Sequence, residues 1–338
     1  MKKAKLIILI VSSIILVFVL SFGTLYGLLY SGIPLDNPIA LGSSSIEIPA
    51  NLTDDGKALS VMSFNIRCFT KEAEEINYWT NRKDAVLALI LNYSPDIIGF
   101  QEVTHPQYLF LMEELGDLYG YYGSYRSGLN TERGNFLIKT SDPKVNSPNI
   151  AFSSMIGEAS PIFYKKSRFE IVNHEMFWLS ESPEKPSKGW DADLKRIATY
   201  LELKDHYTDN TVRFLNTHFD HKGETAEQNS ANLINDFIAD RSGFIVVGDF
   251  NVPEDSAPYN ELLSQTLSNS KYCILETERS DGPTFNGYGL SEENLTIDHV
   301  FIQANIYSPQ SYLIIEDKRA NGNYISDHFP ILVNLEYK

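Results

Sequence analysis

From Ala58 onward the chain alternates short apolar runs with amphipathic segments, and one run after another stops at a carboxylate, amide or imidazole. Residues 60–66 (SVMSFNI) read as a strand, and residues 79–92 carry Val86, Leu89 and Ile90 at helical spacing. Residues 96–101 (DIIGFQ) form a second, buried strand. Further strands are expected at 160–164, 196–203, 212–218, 244–249, 296–302 and 331–335, with a helix over 224–240 between two of them. Some strands are linked by helices and others by hairpin-like turns. That mixture predicts an α/β fold, a four-layer sandwich of two packed mixed β-sheets flanked by helices. Hydrophobic residues make up 43% of the chain, enough for the core that such a fold needs. No internal repeat or low-complexity tract interrupts the pattern.

A polar residue in a turn is ordinary, but here six strand ends repeat it. Asn65 lies in the first run, Gln101 leads into Glu102, and the run at 214–217 leads into His218. Asp249 and Asn251 follow the run at 244–248, Asp298 and His299 follow Ile297, and Ser326, Asp327 and His328 precede the last strand. Charged groups are rarely buried unless they are paired or bound to metal. Glu102 and Asp327 offer the carboxylate oxygens that a hard divalent cation prefers, and Asn65 offers a neutral oxygen or an amide donor. Asp249 is suited to accept a proton from water, with Asn251 holding that water or a phosphoryl oxygen. His218 and His328, each oriented by an acid, are suited to offset charge on a pentacovalent phosphorus. No Ser/His/Asp or Cys/His arrangement and no Walker-type loop accompanies them.

Charge narrows the partners. The net charge is −16, and the first thirty residues hold Lys2, Lys3 and Lys5 with no acid, so the remainder carries −19. Such a body repels polyanions within a Debye length of about 8–10 Å, and it lacks the Lys/Arg surplus that sequence-blind nucleic-acid binding uses. The two cysteines, Cys68 and Cys273, match no metal-ligand spacing and exclude a disulfide framework.

Taken in order, Asn65-Ile66-Arg67, Gln101-Glu102, Asn216-Thr217-His218, Gly248-Asp249-Phe250-Asn251, Ile297-Asp298-His299 and Ser326-Asp327-His328 resemble the endonuclease/exonuclease/phosphatase superfamily. The resemblance runs from about Leu59 to Asn334. It implies a hydrolase that cleaves a phosphomonoester or phosphodiester by in-line attack of water, with Mg²⁺ or Mn²⁺ as cofactor. By the same resemblance, Glu102 binds the metal with Asn65 close by, and Asp327 completes its surroundings. Asp249 activates the water with Asn251, Asp298 orients His328 on the scissile phosphate, and Glu158 pairs with His218. Trp79-Thr-Asn-Arg82, Ile162-Phe-Tyr-Lys165, Phe177-Trp-Leu-Ser180, Gly189-Trp-Asp191, Arg196 and His218-Phe-Asp-His221 also resemble a mainly bacterial and fungal branch. There Arg196 is a phosphate clamp or half of a structural ion pair. Trp190, with Trp178, offers a stacking wall for a base or sugar, though core packing suits Trp178 better. His221 is a substrate contact or a solvated loop residue. Two features depart from the superfamily: a polar insertion over 130–154, read as a loop overhanging the site, and Asn286 where relatives often carry His.

The uncharged stretch over 6–30 is long enough to cross a bilayer as one helix, which takes about 20 residues. A cleaved signal peptide competes, but its apolar region would be overlong and no small-x-small site ends it. Residues 1–30 are therefore read as a membrane anchor, 31–57 as a linker and 58–338 as the catalytic domain. The three lysines place the N-terminus in the cytoplasm and the catalytic domain outside, or secreted if the segment is cleaved. Sequons at Asn51 and Asn294 matter only in a eukaryotic secretory pathway. The expected partners are a membrane and a phosphate-ester substrate: a lipid head group, sugar phosphate, nucleotide or nucleic acid. No protein partner is inferred. A nuclease is the alternative within the enzyme class, and an inactive surface-binding module the alternative outside it.

Overall fold

The computed structural model describes residues 39–40, 58–70, 72–128, 157–291 and 295–338. The expected anchor over 1–30, nearly all of the linker, the insertion over 130–154 and the sequon residues Asn51 and Asn294 lie outside these residues. Within the linker, Ile39–Ala40 pairs antiparallel with Lys318–Arg319, a strand contact that its aperiodic sequence did not announce. Among the described residues no helix is long and apolar enough to cross a membrane.

The first strand of the two large sheets, β1 (Ala58–Asn65), is followed by α1 (Trp79–Tyr93) and β2 (Ile97–Gln101), and the two strands pair in parallel. A parallel pair needs such a crossover, whereas antiparallel neighbours need only a turn. Next come α2 (His105–Leu115), β3 (Tyr119–Tyr122) and β4 (Ile162–Lys165). A Thr104/Gln107 capping box and Pro106 in the first turn start α2. The second sheet begins with β5 (Phe169–Trp178), β6 (Ile197–Asp205) and β7 (Thr211–His218). It repeats the parallel crossover through α3 (Glu224–Ile238) to β8 (Phe244–Asp249). The side chain of Asp191, from a distant loop, accepts the Thr225 and Ala226 N–H groups and so caps α3. The chain closes with α4 (Ala257–Leu262), β9 (Ser268–Asn269), β10 (Asp298–Ile302), β11 (Tyr307–Ile314) and β12 (Ile331–Tyr337).

Strand order is β11-β12-β1-β2-β4-β3 in one sheet and β9-β10-β8-β7-β6-β5 in the other. Three apolar layers hold them. Val61, Ile97, Phe214, Val247 and Val333 fill the space between the sheets. Met62, Phe64 and Phe100 point the other way, onto Val86, Leu89 and Leu111 of the flanking helices. Leu215 and Val246 do the same against Ile234 and Ile238 of α3. Strands buried on both faces explain why the runs are continuously apolar rather than alternating.

All four edge strands, β3, β5, β9 and β11, escaped expectation. β5 exposes Glu170, Asn173, His174 and Glu175, and a bulge between Ile171 and Asn173 breaks its period. β11 carries Pro309 and a bulge before Ser311, features tolerated at a sheet edge.

The sheets approach closely at Gly99, where an added Cβ would stand 2.5 Å from Cγ2 of Val247. Beside it Asn216 bolts the sheets together: its amide donates to the carbonyls of Phe100 (2.8 Å) and Pro161 (3.0 Å) and accepts from Gln101 Nε2 (2.7 Å). Replacing Gly99 by alanine should cost about 1–3 kcal/mol by overpacking, read as a lower melting temperature. An unchanged melt would mean the sheets separate freely there.

Candidate active site

The bolt lies next to the strand ends that carry the polar residues. Asn65 ends β1, Glu102 follows β2, His218 ends β7 and Asp249 ends β8, with His218 beside Asp249 in the parallel register. Asp298 starts β10 directly opposite Asp249 in the antiparallel register. Ser326, Asp327 and His328 precede β12, and Ser326 Oγ donates to the Asn65 carbonyl (2.8 Å), bringing that loop to the same end. The backbone is strained where it turns into the site: Arg67, Glu102 and Asn251 have φ of 56, 61 and 53°. Such values in residues other than glycine persist only when the surroundings hold them.

Asn65 stands at the centre. Its Nδ2 donates to Glu102 Oε1 (3.1 Å) and Asp249 Oδ2 (2.8 Å), and its Oδ1 accepts from the Arg67 N–H (2.9 Å). Glu102 Oε2 takes the Cys68 N–H at 2.8 Å. Burial would raise the Glu102 pKa, but Arg67, that N–H, His328 and Asn65 together hold it at about 2. Asp249 behaves oppositely: burial and then the neighbouring charge of Asp298 push it up to about 7. It also accepts the Asn251 N–H (3.0 Å) and faces His218 Nε2 at 3.4 Å and His328 Nε2 at 3.7 Å.

The two histidines take different charge states. His328 Nδ1 lies 2.8 Å from Asp298 Oδ2. Burial opposes a charge there, yet Asp298 and Asp249 hold the ring well above the ordinary imidazole range, as a cation. His218 is driven well below that range by burial, then by Arg196 and Arg126, and stays neutral. One imidazolium and one neutral imidazole therefore flank the same carboxylate.

The residues fit a divalent cation. Ligand atoms of Glu102, Asp249 and His328 lie within 4.8 Å of one another. A protonated imidazole has no free lone pair, so His328 belongs to this group as a donor rather than as a ligand. The chemistry suited to a cation is that of Glu102, Asp249 and the Asn65 amide, hard oxygens in a buried spot with surplus negative charge. Asp327 stands one guanidinium away: Arg67 lies 3.6 Å from its Oδ2 and 3.9 Å from Glu102 Oε2. Burial raises its pKa.

One expected pairing is corrected. Glu158 bonds not to His218 but to Arg126, with Nη1 at 2.7 Å from Oε2 and the Arg126 N–H on the Glu158 carbonyl (2.8 Å). Gly157 (φ 74°) and the bridge between Val103 and Ala159 hold Glu158 alongside Arg126. A permanent guanidinium is also a stronger partner than an imidazole kept neutral. Arg196 is buried against His221, whose Nδ1 lies 3.1 Å from Nη2. Trp190 (φ 42°) is half-buried with its N–H on Glu181, and its ring enters none of these contacts among the described residues. Trp178 packs in the core and donates Nε1 to the Arg126 carbonyl. Asn286 is occupied locally, its Oδ1 accepting the Tyr288 N–H and its Nδ2 donating to the Ser326 carbonyl.

Sequence reasoning assigned no role to Arg126 or Arg82. Arg82 is wholly buried and donates to four carbonyls: Asn77 (2.7 Å), Ile66 (2.9 Å), Ile325 (2.9 Å) and Arg67 (3.2 Å). It thus ties the exit of β1 to the loop that carries Asp327 and His328.

A family model described as "Endonuclease/Exonuclease/phosphatase family" matches residues 62–328. The "Uncharacterized protein L388" of Acanthamoeba polyphaga mimivirus is 30% identical over 301 residues, covering 82% of this chain and all of that protein. Human nocturnin is 24% identical over 278 residues, 77% of this chain, which spans only 58% of nocturnin. A solved structure of a Bacteroides thetaiotaomicron mannosyl-6-phosphatase matches with a TM-score of 0.65 and 28% identity, over 82% of this chain and 99% of that one.

Proposed function

The chain belongs to the endonuclease/exonuclease/phosphatase family, whose members hydrolyse phosphoester bonds, and from that membership we propose a metal-dependent phosphoesterase that uses an activated water. The observation that carries the proposal is Asp249 between an imidazolium and a neutral imidazole. Asp249 Oδ2 lies between two imidazoles at a buried strand end, where a carboxylate can take a proton from water in line with the leaving group. His328, held as a cation by Asp298, donates to the phosphoryl oxygen where charge gathers. Asn251, its N–H fixed on Asp249 and its Nδ2 on the Phe219 carbonyl, leaves its side-chain oxygen to orient the water. Glu102 and Asp249, with Asn65, are the residues to hold Mg²⁺ or Mn²⁺, which when bound polarises the phosphoryl group. Sugar phosphates lead the candidate substrates, since the mannosyl-6-phosphatase is a relative and the acidic body disfavours nucleic acid. The segment over 6–30 anchors this domain at the outer membrane face in the same proposal.

The test is turnover of sugar phosphates, nucleotides, a bis-aryl phosphodiester, lipid vesicles and plasmid DNA with Mg²⁺, Mn²⁺ or EDTA. Metal-dependent release of phosphate from a sugar phosphate supports the proposal, and preferred cleavage of plasmid DNA would replace it by a nuclease. A folded protein that binds no metal would leave only a binding module. Protons should compete with that metal. Asp249 holds a proton below about pH 7 in the metal-free protein, so Mg²⁺ affinity should fall about tenfold per pH unit there, one proton being displaced per ion. Calorimetric titration between pH 5.5 and 8 reads this, and a flat profile would remove Asp249 from the metal site. Cell fractionation tests the anchor: full chain found soluble would remove it.

A further inference from the structure

Arg196 is 5% exposed, yet among the described residues its guanidinium makes one hydrogen bond, to His221 Nδ1 at 3.1 Å. Its Nε is buried without a hydrogen bond, facing Asp220 Oδ2 as an ion pair at 3.6 Å. That carboxylate is already committed. Asp220 accepts four backbone N–H groups, from Asp193, Leu194, Lys222 and Gly223. A guanidinium has five donors, and buried donors left unpaired are costly enough to be rare. Burial accordingly disfavours its charge.

Its surroundings point to an anion. Arg126 is a second guanidinium, in contact with solvent at its ion pair with Glu158, where the two side chains are 16 and 18% exposed. The bridge from Val103 to Ala159 sets Glu158 close to Glu102, so this pair borders the metal-side carboxylate. Arg196 and Arg126 both act on the charge of His218, after burial itself, and Arg196 feels Asp249 and Glu158. Trp178 opposes Ile197 and donates its Nε1 to the Arg126 carbonyl, and Ala198 opposes Thr217, so the segments of both arginines meet at the sheet end that carries His218, in a domain that is otherwise strongly acidic.

We propose that Arg126 and Arg196 form a subsite for a second anionic group on the substrate, a carboxylate, sulfate or further phosphate, next to the phosphoryl group that is cleaved. The inference rests on the phosphoesterase reading and narrows it, from any phosphate ester to small molecules with two anionic groups. Planar guanidinium forks suit the oxyanions in question, and an anion there adds hydrogen bonds to a guanidinium that makes one among the described residues.

The test is binding rather than turnover, so it survives failure of the hydrolytic reading. Methylphosphonate, phosphonoacetate, 3-phosphonopropionate and 4-phosphonobutyrate, none of them hydrolysable, are titrated calorimetrically into the full chain with Mg²⁺. At least one carboxylated ligand should bind about tenfold or more tighter than methylphosphonate, the worth of one good charge-assisted pair. Arg126→Gln and Arg196→Lys should each reduce that preference several-fold while methylphosphonate affinity stays within about twofold. Melting curves show which variants are folded, and Arg126→Gln, at the more exposed position, serves where Arg196→Lys is not. No preference in the unaltered protein overturns the subsite. So does an equal loss for every ligand, which would place the arginines on the cleaved phosphoryl group itself. A preference found in a protein without turnover would keep the subsite and reject the hydrolytic reading.

Discussion

Asp249→Ala should lower turnover by about 10²–10⁴-fold, the range for losing a positioned general base, and leave the fold intact. Its effect on stability is the sum of two opposed terms. The folded-state pKa of Asp249 is raised, so its carboxyl favours folding below the unfolded value near 3.8, and that contribution is lost as pH rises to about 7. At pH 8 the ionised group is therefore a burden, and its removal stabilises. Against this, the Asn251 N–H loses its acceptor and Asn65 Nδ2 keeps only Glu102, a cost of about 1–3 kcal/mol for a buried donor left unpaired. The terms nearly cancel, so the metal-free melting temperature at pH 8 should move by only a few degrees. At pH 5 the burden has shrunk to less than half of its value at pH 8, because it vanishes only below the unfolded pKa, so the variant should be less stable relative to the wild type at pH 5 than at pH 8. Turnover retained within about tenfold would move the base elsewhere. The stability pattern reversed would mean that Asp249 is ionised at low cost, contrary to its surroundings.

What was legible beforehand followed a simple physical line. Asn65, Glu102, His218, Asp249, Asp298 and His328 stand out because each interrupts a run buried on both faces, where a polar group needs a reason. Strand ends alone then bring them together, since parallel crossovers align β1 with β2 and β7 with β8. The Glu158 partner was not legible. It depends on a bridge between Val103 and Ala159 and on the turn at Gly157, contacts that leave no period in the sequence. The edge strands β5 and β11 were lost for a related reason: their exposed faces and bulges carry no apolar signal. Asn216 was visible only as part of a motif. Its use as the bolt between the sheets emerges from the close approach at Gly99. Arg82 was the hardest of all, because a charged residue in an amphipathic helix ordinarily reads as part of its solvated face.

Arg82→Ala should therefore be the most damaging single change outside the reacting groups, costing about 3–5 kcal/mol, from several buried acceptors left unpaired at about 1–3 kcal/mol each. The charge itself is not the source of this figure. Among the described residues no carboxylate forms an ion pair with Arg82, whose ring neighbours are Trp79 and Tyr288, each 5.7 Å from the guanidinium carbon. The cost comes from four carbonyls that lose their donor at once, those of Ile66, Arg67, Asn77 and Ile325. Three of them flank the site: residues 66 and 67 lead from Asn65 to the Cys68 N–H on Glu102, and residue 325 leads into Asp327 and His328. Loss of the clamp should then appear twice, as an earlier urea transition and as weaker Mg²⁺ binding in the protein that remains folded. Arg82→Lys separates these effects from simple loss of volume, because its ammonium can still reach one or two of the carbonyls. It should recover part of the stability but less of the metal affinity, since one point charge does not fix both loops. A variant as stable as the wild type would show that water replaces the guanidinium. Full stability loss with unchanged metal affinity would show that the two loops are placed by Ser326 and Asn65 alone.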